Sequence, residues 1–407
     1  MLMQSMKKTG LGLLFLLLSV PAFADYSWTF PEPATPMALD TLHVHNEFMA
    51  ITTAIFIVVL GIMIYSIFAH RKSKSYKAHV DQPLTKKSEI FWTLVPFAIL
   101  LTIDFVIMGI PAYKSVIMME DTRNDSNMVI KITGSQWRWQ YEYLGASEAN
   151  IKGESAEDKQ ILNDAKGIKF VSNLTTSQDQ MDNKAPKDAN YLLEVDNKLV
   201  LPVGKKVRIL MTSADVLHNW WVPQFGSSRV AVPGFIRETW VQVLKPGTYR
   251  GQCKELCGKG HGYMPVVVDG VTMDEYKQWV VAKKEELAIA AAGADKEWSK
   301  EDLIANGKGV YEKNCAVCHQ VTGAGLPPAF PALTGSKVVN NPIFGADGKY
   351  LKDSHLDRVL NGKGVMPSWK AVLNDTEIAS VITYERNALG NSVGDILQPS
   401  QVKAARQ

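Results

Sequence analysis

The order of apolar and polar positions divides the chain into segments of different character. A short apolar run at residues 11–20 follows Lys7 and Lys8 and leads into Ala22-Phe23-Ala24, the layout of a secretory signal with a small-residue cleavage site. Residues 1–24 are therefore predicted to be removed, with the mature chain starting near Asp25. Two longer runs follow: residues 48–69 carry no formal charge, and residues 91–113 are interrupted only by Asp104, with Pro111 expected to break the helix near its end. Each is long enough to cross a bilayer as a helix, so 25–115 reads as a periplasmic lead and a two-helix anchor. From Val129 the pattern changes to short β-branched and aromatic stretches between Gly and Pro, as at 128–132, 206–210 and 264–268. That predicts an antiparallel β-sandwich or barrel within 116–285. Inside it, 145–190 is rich in Lys, Asp, Asn and Ser and reads as a solvated surface insertion with one short helix. Helical patterning returns at 274–292, 300–314 and 375–386. The small-residue stretch 288–293 marks 286–299 as a linker, which leaves 300–392 as a separate helical domain and 393–407 as a C-terminal tail.

Charge orients the anchor. Arg71, Lys72, Lys74, Lys77, Lys86 and Lys87 stand against Asp81 between the two spans, which makes that loop cytoplasmic and places both ends of the mature chain in the periplasm. Asp104 is costly in the bilayer and is expected to face a protein partner. Neither span contains a histidine, so this chain alone cannot hold a bis-histidine haem in the membrane. Over all 407 residues, 44 basic side chains against 41 acidic ones argue against a nucleic-acid partner. Export would favour disulfides among the four cysteines, yet each pair sits among other metal-binding side chains.

The first pair lies in Cys253-Lys-Glu255-Leu-Cys257-Gly-Lys-Gly-His261-Gly-Tyr-Met264, with His218 upstream. Thiolate, imidazole and thioether together suit copper in an electron-transfer site. Two thiolates can bridge two copper ions, each ion then taking one His and one weak donor, Met264 or a backbone carbonyl near Glu255. Three other readings compete: a Cys253–Cys257 disulfide, a structural zinc site, which does not use Met, and chance clustering. The second pair, Cys315-Ala-Val-Cys318-His319, is the attachment signature of a c-type haem, in which two thiols add to the vinyl groups and the histidine binds the iron. Met366 is the expected second axial ligand. His355, at a helix start, is the rival and is expected to be a surface residue. A tethered haem domain gives the copper an intramolecular donor at high effective concentration.

At these residues the chain resembles subunit II of the haem-copper cytochrome c oxidases, in the form with a cytochrome c domain fused at the C-terminus. The resemblance implies a two-helix transmembrane hairpin, an all-β cupredoxin-like barrel and an all-α class I cytochrome c domain. It implies a dinuclear CuA centre held by His218, Cys253, the carbonyl of Glu255, Cys257, His261 and Met264. The side chain of Glu255 would bind magnesium shared with subunit I. Gly134-Ser-Gln136-Trp137-Arg-Trp139 matches the aromatic stretch of the family, which makes Trp137 the point where electrons enter. Trp139, Tyr141 and Tyr143 read equally well as core aromatics. Glu89 matches the glutamate at the cytoplasmic mouth of a proton channel, and equally an ordinary carboxylate at a helix start. One departure is Val230-Ala231-Val232-Pro233-Gly234, where the family has Asp at the first position, which bears on the magnesium site. The implied partners are subunits I and III in a bacterial inner membrane, and cytochrome c or another periplasmic donor. Oxygen reduction and proton translocation would occur in subunit I, making this chain part of an enzyme. The alternatives are the electron-input subunit of a copper-containing nitric oxide reductase and a copper-binding protein without redox function; quinol-oxidase relatives lack these copper ligands.

Overall fold

The computed structural model describes residues 29–74, 85–148, 153–370 and 372–406. The expected signal segment and part of the loop expected to be cytoplasmic lie outside them. The first long helix, α1 (Pro36–Ala69), starts well before the apolar run. Thr35 caps it, its hydroxyl accepting from the Ala38 N–H at 3.1 Å. This early start is packed against the β domain: Met37 and Ala38 are buried. Gly226 lies so close that a Cβ there would stand 2.6 Å from the Cα of Ala38, so only glycine fits.

The second span is α2 (Lys86–Leu101), a π-helical stretch (Thr102–Ile107) and α3 (Gly109–Glu120). The interruption is therefore not at Pro111. In the widened turn Met108 N–H donates to Ile103 O at 2.8 Å, next to Asp104, and Pro111 sits in the first turn of α3, where its missing N–H leaves no helical bond unmade. By length and hydropathy, α1 and residues 86–120 are both able to cross a membrane.

The β domain comprises β1 (Met128–Ser135), β2 (Arg138–Ala146), α4 (Ala156–Asp164), β3 (Lys169–Ser172), a short α5 (Gln178–Met181), β4 (Leu199–Pro202), β5 (Val207–Ser213), β6 (His218–Val222), β7 (Ser227–Ala231), β8 (Arg237–Val241), β9 (Gly247–Cys253) and β10 (Pro265–Val271). Two five-stranded sheets run β3-β2-β1-β5-β8 and β4-β10-β9-β6-β7. They are mixed, not wholly antiparallel: β1 with β5 and β10 with β4 pair in parallel. Alternation is strict where one face is buried, and β1 and β5 present Met128, Ile130, Ile132, Val207, Ile209 and Met211 to the core.

The insertion is not a solvated excursion. Ile161 and Leu162 of α4, with Ala165 and Ile168 beyond it, are buried, and β3 extends the first sheet with Phe170 opposite Tyr141. Polar side chains on the outer face of these elements hid an apolar inner face.

Glu238 on β8 fastens the end of the second span to the sheet. Its carboxylate accepts from Arg208 at 2.6 and 3.0 Å, from Arg123 at 3.1 Å and from Thr122 at 2.8 Å. The Arg208 bonds above all hold its carboxyl down at about 2. A group depressed in the folded state contributes stability above its unfolded value and loses it as pH falls through the folded one. Glu238→Gln is therefore expected to lower stability by about 1 kcal/mol at pH 7 after allowing for solvent screening. The difference should vanish between about pH 4.5 and pH 2, as checked by thermal unfolding at both ends of that range.

The helix α6 (Met273–Ala292) leaves the β domain by a capping box on Thr272 and Glu275 and runs through the first half of the expected linker into a 3₁₀ turn, Gly293–Asp295. The haem-type domain contains α7 (Lys300–Asn314), α8 (Ala316–His319), α9 (Lys337–Asn340), α10 (His355–Asn361), α11 (Asp375–Asn387) and α12 (Pro399–Ala405). Its core joins Leu303 and Tyr311 of α7 to Ile378, Val381 and Ile382 of α11. The stretch expected as a tail is part of that core, since Leu397 and Val402 are buried and Gln398 hydrogen-bonds the backbone of Trp298 in both directions.

Candidate metal centre

Strand pairing builds the first site. β6 begins at His218 and β9 ends at Cys253, and the two strands are neighbours with Trp220 opposite Cys253. The chain from Cys253 to Met264 is the loop of the β9–β10 hairpin, closed at its neck by Cys253 N–H donating to Met264 O at 2.9 Å. The loop thus folds Cys257 and His261 back over Cys253.

The two sulfurs lie 3.8 Å apart. That is far beyond a disulfide bond of about 2.05 Å, and all four cysteines are free thiols. It is also close enough for both sulfurs to reach one ion at about 2.3 Å. Each thiol faces its own imidazole: Cys253 Sγ is 4.0 Å from His218 Nδ1, and Cys257 Sγ is 3.5 Å from His261 Nδ1. The carbonyl of Glu255 lies 3.3 Å from Cys253 Sγ, and Met264 is buried at 1% exposure. The donor atoms of His218, Cys253 and Cys257 fall within 4.8 Å of one another. This donor set suits copper. The neighbouring thiol stabilises a thiolate on Cys253 and holds it well below the ordinary range, and the same proximity pushes Cys257 up.

Two supports were not assigned from the sequence. Asp215 Oδ1 is 2.8 Å from His218 Nε2, which leaves Nδ1 turned to the sulfurs. Burial acts to raise the Asp215 carboxyl, but bonds from His218 and from the Gln136 and Val216 N–H groups outweigh it and hold it low. Its position three residues before His218 was the available signal. Trp137 Nε1–H and Gln136 Nε2–H both donate to Cys257 O, at 3.1 and 2.9 Å. The indole lies so near the loop that a Cβ at Gly260 would meet it at 2.3 Å. Trp139, Tyr141 and Tyr143 are fully buried core. Asp215→Asn is expected to weaken copper binding by about 10–100-fold, measured by competition with a chelator of known affinity.

The second site is a turn of helix following α7. Cys318 and His319 N–H groups both donate to Cys315 O, at 3.1 and 2.9 Å, so the two thiols and the imidazole occupy one turn. His319 Nδ1 is 2.9 Å from Pro331 O; a carbonyl only accepts, so Nδ1 carries the proton and Nε2 keeps its lone pair for a metal. Met366 is half-buried against the core. These residues fit a covalently held haem. His355 is not a surface residue: it is 3% exposed, with Nε2 2.6 Å from Glu385 Oε2. Glu255 is half-buried in the copper loop, and Glu89 is exposed in the first turn of α2.

A membrane-anchored cupredoxin-like domain with paired thiols, joined to a domain bearing the haem-attachment turn, has the parts of an electron-input subunit of a respiratory enzyme. Comparison with known proteins agrees along the whole architecture. Residues 24–110 match the transmembrane domain of cytochrome c oxidase subunit II, residues 128–271 its periplasmic domain, and residues 302–384 subunit III of the cbb3-type cytochrome c oxidase. The probable cytochrome c oxidase subunit 2 of Rickettsia felis is 32% identical over 274 residues, 66% of this chain and 77% of that protein. Subunit 2 of Arabidopsis thaliana is 32% identical over 263 residues, 64% of this chain and 91% of that protein. The crystal structure of the periplasmic domain of subunit II from Bradyrhizobium japonicum aligns with 34% identity and a TM-score of 0.32, covering 40% of this chain and 98% of that one. The chain belongs to the cytochrome c oxidase subunit II family, in the form that carries a cytochrome c domain after the copper domain.

Proposed function

We propose that this chain receives electrons on the periplasmic side of a bacterial inner membrane and delivers them to the haem and haem-copper site of subunit I, where dioxygen is reduced to water and protons are translocated. The observation that carries the reading is the arrangement of two unpaired sulfurs, each with its own imidazole nitrogen. A bound copper pair and haem c supply one-electron carriers. His218, Cys253, the carbonyl of Glu255, Cys257, His261 and Met264 hold the copper. Cys315 and Cys318 tether the haem, and His319 and Met366 bind its iron; Glu385 engages His355, which favours Met366. Trp137 links the surface to the copper loop through its bond to Cys257 O. Asp215 orients His218, and Pro331 sets the tautomer of His319.

Glu89 is assigned to the cytoplasmic mouth of a proton channel, and the Glu255 carboxylate to a magnesium ion shared with subunit I, with Val230 supplying no carboxylate of its own. Subunits I and III are the membrane partners, and cytochrome c or a similar periplasmic protein is the donor. The test is metal analysis with optical and EPR spectra of the purified oxidase complex. The expected result is a mixed-valence copper pair and one low-spin haem c on this chain. A single copper, or zinc, with the haem intact would overturn the bridging role of Cys253 and Cys257.

A further inference from the structure

Arg138 opens β2 directly after Trp137 and is 6% exposed. Its guanidinium lies 3.8 Å from the ring centroid of Trp369, in the same loop as Met366. Nη1 also approaches Asn314 Oδ1, 3.5 Å away, at the residue immediately before Cys315. One side chain of the copper domain thus touches both segments that would flank a haem. Beside it, Lys313 of α7 pairs with Asp196 of the β domain.

A buried guanidinium is ordinarily matched by a carboxylate. Here its stacking and hydrogen-bond partners are an aromatic face and an amide, both from the haem-type domain, while the Asp215 carboxylate of its own domain acts on it only through space. Burial, above all, lowers Arg138 to about 10, so it remains a cation at neutral pH while removed from water. A planar cation stacked on an indole is a contact that Arg makes and Lys does not reproduce. The desolvation is worthwhile only while the two domains are seated together.

We propose that Arg138 is a latch that seats the haem c domain on the copper domain beside Trp137, gripping the Trp369 loop and the end of α7 at once. Arg138 is a positioning residue: it holds neither metal nor haem. The inference rests on the copper and haem reading above, but its test does not depend on turnover.

The intact oxidase complex is treated with a carbodiimide, which joins Lys313 to Asp196 when the domains are seated, and is separately footprinted with hydroxyl radicals at Trp369. Both products are read by mass spectrometry. Arg138→Ala is expected to lower the cross-link yield and raise Trp369 labelling, each by about tenfold, with copper and haem spectra unchanged; Arg138→Lys should behave similarly. Arg138→Gln, which keeps a long polar side chain, guards against a folding defect in the alanine variant. Unchanged cross-linking and labelling in variants that retain both spectra would overturn the latch. Absence of the copper pair from the unaltered complex would instead sink the metal reading, so the two failures are distinguishable.

Discussion

Cys257→Ser is expected to abolish the copper pair rather than halve it. A serine hydroxyl stays protonated near neutral pH and cannot bridge two ions, so the remaining set of Cys253, His218 and Met264 describes at most a mononuclear site. Losing one ligand of a compact metal site costs about 3 kcal/mol, or roughly a hundredfold in affinity. The loop itself should survive, because Gln136 and Trp137 grip the carbonyl of residue 257 and not its side chain. The neck bond between Cys253 N–H and Met264 O is likewise untouched. Copper content and the EPR signal of the purified variant check this; a mixed-valence signal surviving the substitution would mean that Cys257 is not a bridge. Haem content should be unaltered, since Cys315 and Cys318 lie in the other domain.

The second large effect is expected from the double change Cys315→Ala and Cys318→Ala. Haem should no longer remain with the chain under denaturing conditions, and the haem domain should lose roughly 3 kcal/mol or more of apparent stability, as expected when a tightly held group that binds only the folded state is removed. The domain has little reserve with which to absorb that loss, because its core is small and rests on the α7–α11 pair. Haem staining after denaturing electrophoresis and thermal unfolding of the variant measure the two effects. Retention of haem through denaturation would show an attachment other than the two thioethers.

The candidate ligands were legible because donors that suit copper and haem are concentrated in short segments. Cys253 to Met264 is one hairpin loop, and Cys315 to His319 is one turn of helix. The two spans were legible from uninterrupted apolar runs, although the break in the second was placed at Pro111 and lies at the π stretch before it. Reading 145–190 as a solvated insertion failed for a physical reason: α4 and β3 need only a few inward residues, Ile161, Leu162 and Phe170 among them, and their polar outer faces dominate the composition. His355 was misplaced at the surface because its partner, Glu385, comes from a different helix. Asp215 stood in plain view beside His218, but only the folded ring orientation gives it a role.

The amino-acid order by itself marked out the two apolar spans, the β-rich and helical domains and the candidate donor residues, since these depend on composition, charge and spacing along a few residues. Tertiary structure decided which imidazole faces which sulfur, because that follows from the pairing of β6 with β9 across 35 residues of chain. It also decided the tautomer of His319, set by Pro331, and the seating of one domain on the other through Arg138 and Trp369. Contacts between distant segments leave no local pattern; they exist only once strands have paired and helices have packed.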